Sequence, residues 1–172
     1  MDAVADVDIR PAGTNDLPTL TRTHGRRRRF AEHLAKQENL LGMLLVAWIE
    51  DVPAGHIYIR LEPADEAELR DRLDGVPVLH HLEVLPAYRR HGIGTALLRA
   101  AERFLLRHGH DRIALGVDLD NVMAAQLYTR LGYAEWPYPL LPTTSEVVLD
   151  GDRRVLVDDQ CRVFVKTITA AL

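Results

Sequence analysis

Apolar residues recur at two different spacings along the chain, and the switches between them mark out its elements. Val7-Asp8-Ile9-Arg10 alternates as a half-buried strand does, and Pro11 ends it. Thr14-Asn15-Asp16 is a helix-start cluster with Pro18 close inside, and residues 26–38 are rich in helix formers, with Phe30 and Leu34 four apart. Gly42 to Glu50 is apolar and β-prone. Asp51-Val52-Pro53-Ala54-Gly55 interrupts it and His56-Ile57-Tyr58-Ile59-Arg60-Leu61 resumes, which predicts a β-hairpin. Glu62 to Gly75 is charged and fits a helical turn or short helix, and Val76 to Leu85 is an apolar, β-branched stretch closed by Pro86. The helical period is clearest from Ile93 to His108. Ile93, Ala96, Leu97, Ala100, Ala101, Phe104 and Leu105 fall on one stripe, and Gly109 is the stop. Arg112 to Asp118 reads as a strand, and Asn121 to Leu131 as a helix with Asn121 as N-cap and Gly132 as stop. Tyr133-Ala134-Glu135 restarts extended chain. Glu146 to Leu149, Arg154 to Val157 and Cys161 to Ile168 predict a closing antiparallel hairpin about a turn at Gly151-Asp152. The order β-α-α-β-β-β-α-β-α-β-β describes a mixed α/β domain, expected to take in residues 1–172 as one unit.

Composition narrows the function classes. The 172 residues suit one domain with one sizeable core. A formal net charge of −4 argues against a general nucleic-acid binder, whose affinity for phosphates needs a basic surface. The longest apolar run, Met43 to Ile49, falls far short of the roughly 20 residues that span a bilayer, so no membrane partner is expected. MDAVADVDIR lacks the basic start and apolar stretch of a signal peptide. The single cysteine, Cys161, makes neither an internal disulfide nor a zinc-finger ligand set; a cytoplasmic setting and no metal are expected. Aromatic residues are only 6%, so the core must rest on Leu, Val, Ile and Ala.

The sharpest chemical signal is the segment from Leu82 to Leu98, a strand feeding a loop with two glycines from which a helix starts. Glycine lets the backbone turn tightly and lets a ligand approach its N–H groups. First-turn N–H groups have no partners within the helix, and the helix end carries roughly half a positive charge, so such a turn suits phosphate. Arg89 and Arg90 add charge and Thr95 a hydroxyl. The Walker-type loop needs Gly-Lys-Ser/Thr, which does not occur, and the dinucleotide fingerprint needs a third glycine where position 97 is Leu. A plain strand-to-helix connection stays open on the physics alone.

Arg89-Arg90-His91-Gly92-Ile93-Gly94 resembles the Arg/Gln-x-x-Gly-x-Gly/Ala acyl-CoA motif of the GNAT N-acetyltransferase superfamily. Asn121-Val122-Met123-Ala124-Ala125-Gln126-Leu127-Tyr128-Thr129-Arg130-Leu131-Gly132-Tyr133 is similar to its second signature, with one helix and one strand between the two. The resemblance implies a mostly antiparallel central sheet with flanking helices and a splayed strand pair that receives acyl-CoA. It implies backbone contacts from Leu82 and Val84 to the pantetheine amides. The N–H groups from Arg90 to Thr95 (Arg90, His91, Gly92, Ile93, Gly94 and Thr95) would take the pyrophosphate, beside Arg89. Asn121 would bond the pantetheine arm, or serve as a helix cap, or both. Tyr128 resembles the family's general acid; a phenol with a pKa near 10 stays protonated at neutral pH. Core packing of Tyr128 is compatible with that role.

A base must take the proton of the acceptor amine. Strand alternation puts Val78, His80, Leu82 and Val84 on one face and Leu79, His81 and Glu83 on the other. By resemblance the first face looks into the cleft, where Val78 cannot act and His80 can. Half-buried packing of His80-His81 is the alternative. Glu83 is the reserve candidate, because a bulge would flip the faces, and a water relay is also open. Gly116 removes a base that relatives carry on the next strand. Cys161 reads better as a small core residue than as a nucleophile. Arg26 to Arg29 reads as a solvated helix face, with an anionic acceptor as the minority view. Glu62, Asp65, Glu66, Glu68, Asp71 and Asp74 form either a solvated acidic loop or a rim that attracts a cationic amine. The expected activity is acetyl transfer from acetyl-CoA, as cosubstrate, to a small-molecule primary amine. A protein N-terminus or lysine acceptor, an antibiotic amine, and a non-catalytic acyl-CoA-binding module stay open, as does a homodimer.

Overall fold

The computed structural model describes residues 6–149 and 153–170; the turn expected at Gly151-Asp152 lies outside them. The elements in chain order are β1 (Val7–Pro11), α1 (Leu17–His24), α2 (Arg27–Glu38), β2 (Gly42–Ile49), β3 (Val52–Arg60) and α3 (Ala67–Arg72). They continue with β4 (Val78–Val84), α4 (Ile93–Arg107), β5 (Arg112–Asp118), α5 (Val122–Arg130), β6 (Ala134–Glu135), β7 (Leu141–Leu149) and β8 (Arg153–Thr167). Single 3-10 turns at Thr14–Asp16 and Pro86–Tyr88 lead into α1 and toward α4.

The described strands form one sheet in the order β1-β2-β3-β4-β5-β8-β6, with β7 also paired to β8. Every pair is antiparallel except β4–β5. A parallel pair needs a crossover, and α4 supplies it. This is the mixed, mostly antiparallel sheet with flanking helices that the resemblance implied. Three bounds differ from the sequence pattern. Strand β7 starts at Leu141 rather than Glu146, because Leu141 to Ser145 already pair with Cys161 to Val157. The β2–β3 turn is shorter than the expected break, because Val52 and Pro53 already pair with Ile49 and Trp48. Residues 153–167 form one long strand rather than two pieces, since the polar stretch Asp158-Asp159-Gln160 pairs with Pro142, Thr143 and Thr144 of β7 and interrupts nothing.

Helices cover both faces of the sheet. On one face α4 buries Ile93, Leu97, Leu98, Ala101 and Leu105 against Leu45, Ala47, Ile57, Ile59, Leu79 and Leu115. Each large aliphatic side chain buried there contributes about 1.5–3 kcal/mol. Close approach matters at Gly55, where an added Cβ would lie 2.9 Å from the Glu83 carbonyl oxygen and 3.3 Å from Ile93. On the other face α1 and α2 bury Leu20, Phe30 and Leu34 against Leu44, Val46, Trp48 and Tyr58. A third cluster joins Leu69 of α3 to Trp136, Leu141, Cys161 and Val163.

Candidate active site

The site begins where β4 and β5 part. They pair only at Val78–Ala114 and Leu79–Leu115, although β4 runs on to Val84 and β5 to Asp118. Each strand stays held by its outer neighbour: β4 by β3 as far as Val84, and β5 by β8 as far as Asp118. Residues 80–84 therefore present an unpaired strand edge to a gap, the splayed pair expected of the acyl-CoA fold.

A bulge sits at the mouth of this fork. Tyr58 of β3 faces His80, but His56 faces Glu83, so β4 carries one residue more than β3 between these pairs. His81 takes the strain in a left-handed conformation, φ 55°. The expected alternation therefore holds only as far as His80. Beyond it, Leu82 and Val84 pack on the α4 side, while Glu83 joins His80 on the face covered by α1 and α2. Both base candidates thus share one face, and Leu82 and Val84 do not share it with His80. A two-residue period cannot register an inserted residue.

The loop after β4 is shaped for backbone contact. Arg90 and Gly92 both have positive φ, 64° and 77°. Helix α4 starts at Ile93 with no side chain capping it and no acidic residue in its first turn. Its first N–H groups are open to an anion. An added Cβ would meet nothing within 4 Å at Gly92, and only Val84 Cγ2 at 3.9 Å at Gly94. The free space above both residues is space for a ligand to come close. Arg89, Arg90, His91 and Gly92 are exposed, Gly94 and Thr95 half-buried, and the Ile93 side chain anchors α4 in the core. Arg89 Nε donates to the Val84 carbonyl oxygen at 3.1 Å.

Helix α5 follows β5, the other strand of the fork. Asn121 Oδ1 accepts from the Ala124 N–H at 3.2 Å, so the cap is real and the amide Nδ2 is left to donate elsewhere. Tyr128 is 9% exposed, with its ring 5.8 Å from Tyr133 and 6.5 Å from Phe164. Burial pushes its phenol up to about 12, which keeps the proton on at any physiological pH.

The fork, the uncapped glycine turn and the Asn121–Tyr128 helix occupy one contiguous stretch, and the model of the acetyltransferase (GNAT) family matches residues 12–133. The chain belongs to this family. A mycothiol acetyltransferase of Renibacterium salmoninarum is 42% identical over 53 residues, 31% of this chain and 16% of that protein. An uncharacterised N-acetyltransferase of Methanocaldococcus jannaschii is 37% identical over 60 residues, 35% of this chain and 26% of that one. The match thus spans about a quarter or less of these relatives' lengths. Among solved structures, the PaiA N-acetyltransferase of Thermoplasma acidophilum in complex with coenzyme A has a TM-score of 0.65 at 18% identity, covering 94% of this chain and 99% of that one. The ribosomal-protein-S18-alanine N-acetyltransferase of Escherichia coli has a TM-score of 0.66 at 20% identity, covering 96% of each. At such identities the likeness is one of GNAT fold. No helix among the described residues is long and apolar enough to cross a membrane.

The α1–α2 face of this GNAT domain gathers residues that the linear pattern left apart. His33 stacks on Tyr58, rings 3.8 Å apart and 5° from parallel, and His81 lies 5.6 Å from His33. Burial, with the charge of Arg60, holds His80 down to about 4, so its ring is uncharged at neutral pH. His56 is buried behind Glu83, with Nε2 3.4 Å from Glu83 Oε2. Arg26 and Arg29 each stand 3.8 Å from Glu83 Oε1. The His56 ring and then these guanidiniums hold the Glu83 carboxyl at about 2. Part of the arginine run is therefore not a solvated face; Arg28, which pairs with Glu32 at 3.0 Å, is. The polar alternation His56, Tyr58, Arg60 along β3 was the sequence signal for this face.

The acidic stretch divides. Glu62 pairs with Lys36 and lies 3.8 Å from Arg60, and Asp65 binds Arg60 at 3.0 Å, which lowers its carboxyl below the usual range. Glu68, Asp71 and Asp74 remain exposed around α3. Gly116 is small for a structural reason: an added Cβ would lie 3.1 Å from Cys161 Sγ. Cys161 is buried and burial pushes its thiol up to about 11, the opposite of an activated nucleophile.

Proposed function

We propose that this protein transfers an acetyl group from acetyl-CoA to a primary amine of a small molecule, directly and without an acyl-enzyme intermediate. The observation that carries the reading is the fork between β4 and β5, opening beside an uncapped helix whose loop glycines leave free space. Acetyl-CoA, when bound, supplies the acetyl group as an activated thioester. The edge of β4 at Leu82 and Val84 offers backbone groups to its pantetheine amides, and Asn121 Nδ2 adds a donor from the start of α5. Arg89, Arg90, His91 and the N–H groups from Gly92 to Thr95 hold the pyrophosphate. Arg89 leaves the Val84 carbonyl in doing so.

An ammonium acceptor must lose a proton before it attacks. His80 and Glu83 both lack an acidic proton at neutral pH, and His80, held at about 4 against about 2, is the stronger base of the two. His80 takes the proton, through water where the distance requires it, and Tyr128 donates its own to the departing sulfur. The high, burial-driven value of Tyr128 makes it a donor that is always loaded. A small acceptor is supported by the cover on its side of the sheet, where α1 and α2 pack Leu20, Phe30 and Leu34.

Thiol release measured against a panel of small amines and of peptides tests the class. Turnover with small amines supports the reading, and turnover with peptides alone replaces it by a protein acetyltransferase. His80→Ala is expected to lower kcat by about 10²–10⁴. If Glu83→Ala does so and His80→Ala does not, the base is reassigned.

A further inference from the structure

His56 is 1% exposed; its Nδ1 has no partner, and its Nε2 approaches only the Glu83 carboxylate, without an aligned hydrogen bond. Native folds seldom leave a buried polar side chain unpartnered without a use for it. Its Nε2 stands 3.4 Å from Glu83 Oε2. Ligand atoms on a tetrahedral ion with bonds of about 2.0–2.1 Å lie about 3.3–3.4 Å apart, the same spacing. His24, at the end of α1, completes a set: one ring nitrogen from each histidine and one Glu83 oxygen lie within 4.8 Å of one another.

The outer contacts fit ligand roles. His24 Nε2 lies 2.7 Å from the Pro53 carbonyl oxygen. That bond needs the proton on Nε2, so the free lone pair is on Nδ1. Glu83 Oε1 faces Arg26 and Arg29 at 3.8 Å each, while Oε2 faces His56. Histidine and carboxylate ligands are commonly oriented by such secondary partners. The His24 and His56 rings already meet edge to face with centroids 4.8 Å apart.

We propose that His24, His56 and Glu83 bind a single divalent transition-metal ion, with zinc the best match. Two imidazoles and a carboxylate select zinc, cobalt or nickel over calcium and magnesium, which prefer all-oxygen sites. The Glu83 side chain is 37% exposed, which leaves room for water or a further ligand on the ion. The ion ties the end of α1 to β3 and to the bulged part of β4, and the bulge is what sets Glu83 opposite His56. The site does not rest on the acetyl-transfer reading and uses neither His80 nor Tyr128.

The test is titration of the chelator-stripped full chain with Zn²⁺ against a chromogenic chelator, and with Co²⁺ by visible absorption. One equivalent should bind, with a four- or five-coordinate cobalt spectrum and a rise in Tm that saturates at that ratio. Glu83→Gln, His24→Ala and His56→Ala should each weaken binding by at least about tenfold, and His110→Ala should leave it unchanged. Because His56→Ala removes a buried ring, the decision rests on Glu83→Gln and His24→Ala, checked for native circular dichroism. Absence of one-to-one binding, or unchanged affinity in these two folded variants, overturns the proposal.

Discussion

Tyr128, the proposed proton donor, is seated by the core. Its ring packs near Tyr133 and Phe164, and the burial that seats it also keeps its proton on. Tyr128→Phe keeps the ring and removes the donor. It should lower kcat by about 10²-fold or more while leaving acetyl-CoA affinity within about twofold. Steady-state kinetics beside calorimetry separate the two, and an unchanged kcat removes Tyr128 from the reaction. At this scale the sequence was uneven evidence. Asn121, Tyr128 and the two loop glycines stood out because they lie in contiguous motifs. His24, His33 and His56 did not, because α1, α2 and β3 bring them together only through the fold. For the same reason spacing along the chain pointed to no metal set: its three candidate ligands come from three elements.

At the scale of the element, β4 and the turn after it divide the work. The strand itself was legible as a β-branched run ending at a proline, and α4 as an apolar stripe ending at a glycine. The bulge was not, since a strand with one added residue has the same composition as one without it. Yet the bulge decides which side chains share the α1–α2 face. The glycine turn leads to a prediction of its own. Gly92 sits at φ 77°, and an added Cβ meets no protein atom within 4 Å. The cost of a larger residue there has two parts: backbone strain of order 1 kcal/mol, and obstruction of the anion site. Gly92→Val should therefore lower stability modestly but weaken acetyl-CoA binding by about tenfold or more, as calorimetry reads it. Loss of stability without loss of affinity would mean that the turn is only a connection.

For the molecule as a whole, the two faces of the sheet age differently with pH. The α4 face is largely aliphatic, and its buried phenols, Tyr128 and Tyr133, are pushed up by burial and keep their protons. The α1–α2 face carries His33, buried, and His24 and His80, half-buried, all held below the ordinary imidazole value by burial. His33 is held down to about 3 from an ordinary 6.5, by burial first and then by the charges of His81 and Arg29. His80 is held at about 4, and burial lowers His24 as well. The sign follows from proton counting. Between about pH 3 and 6.5 the unfolded chain binds a proton at His33 that the folded chain refuses, so stability rises with pH across this window. The contribution is fully present above about 6.5 and is lost as the pH falls toward the folded value. Each such histidine adds a slope of up to about 1.4 kcal/mol per pH unit. His33→Gln, which does not titrate, should give a flatter curve of Tm against pH below about 6.5. Some slope should survive, because His24 and His80 titrate in the same direction. Thermal melts of both proteins across that range decide the matter: parallel curves would show that the His33 ring is not sheltered as its stacking on Tyr58 requires.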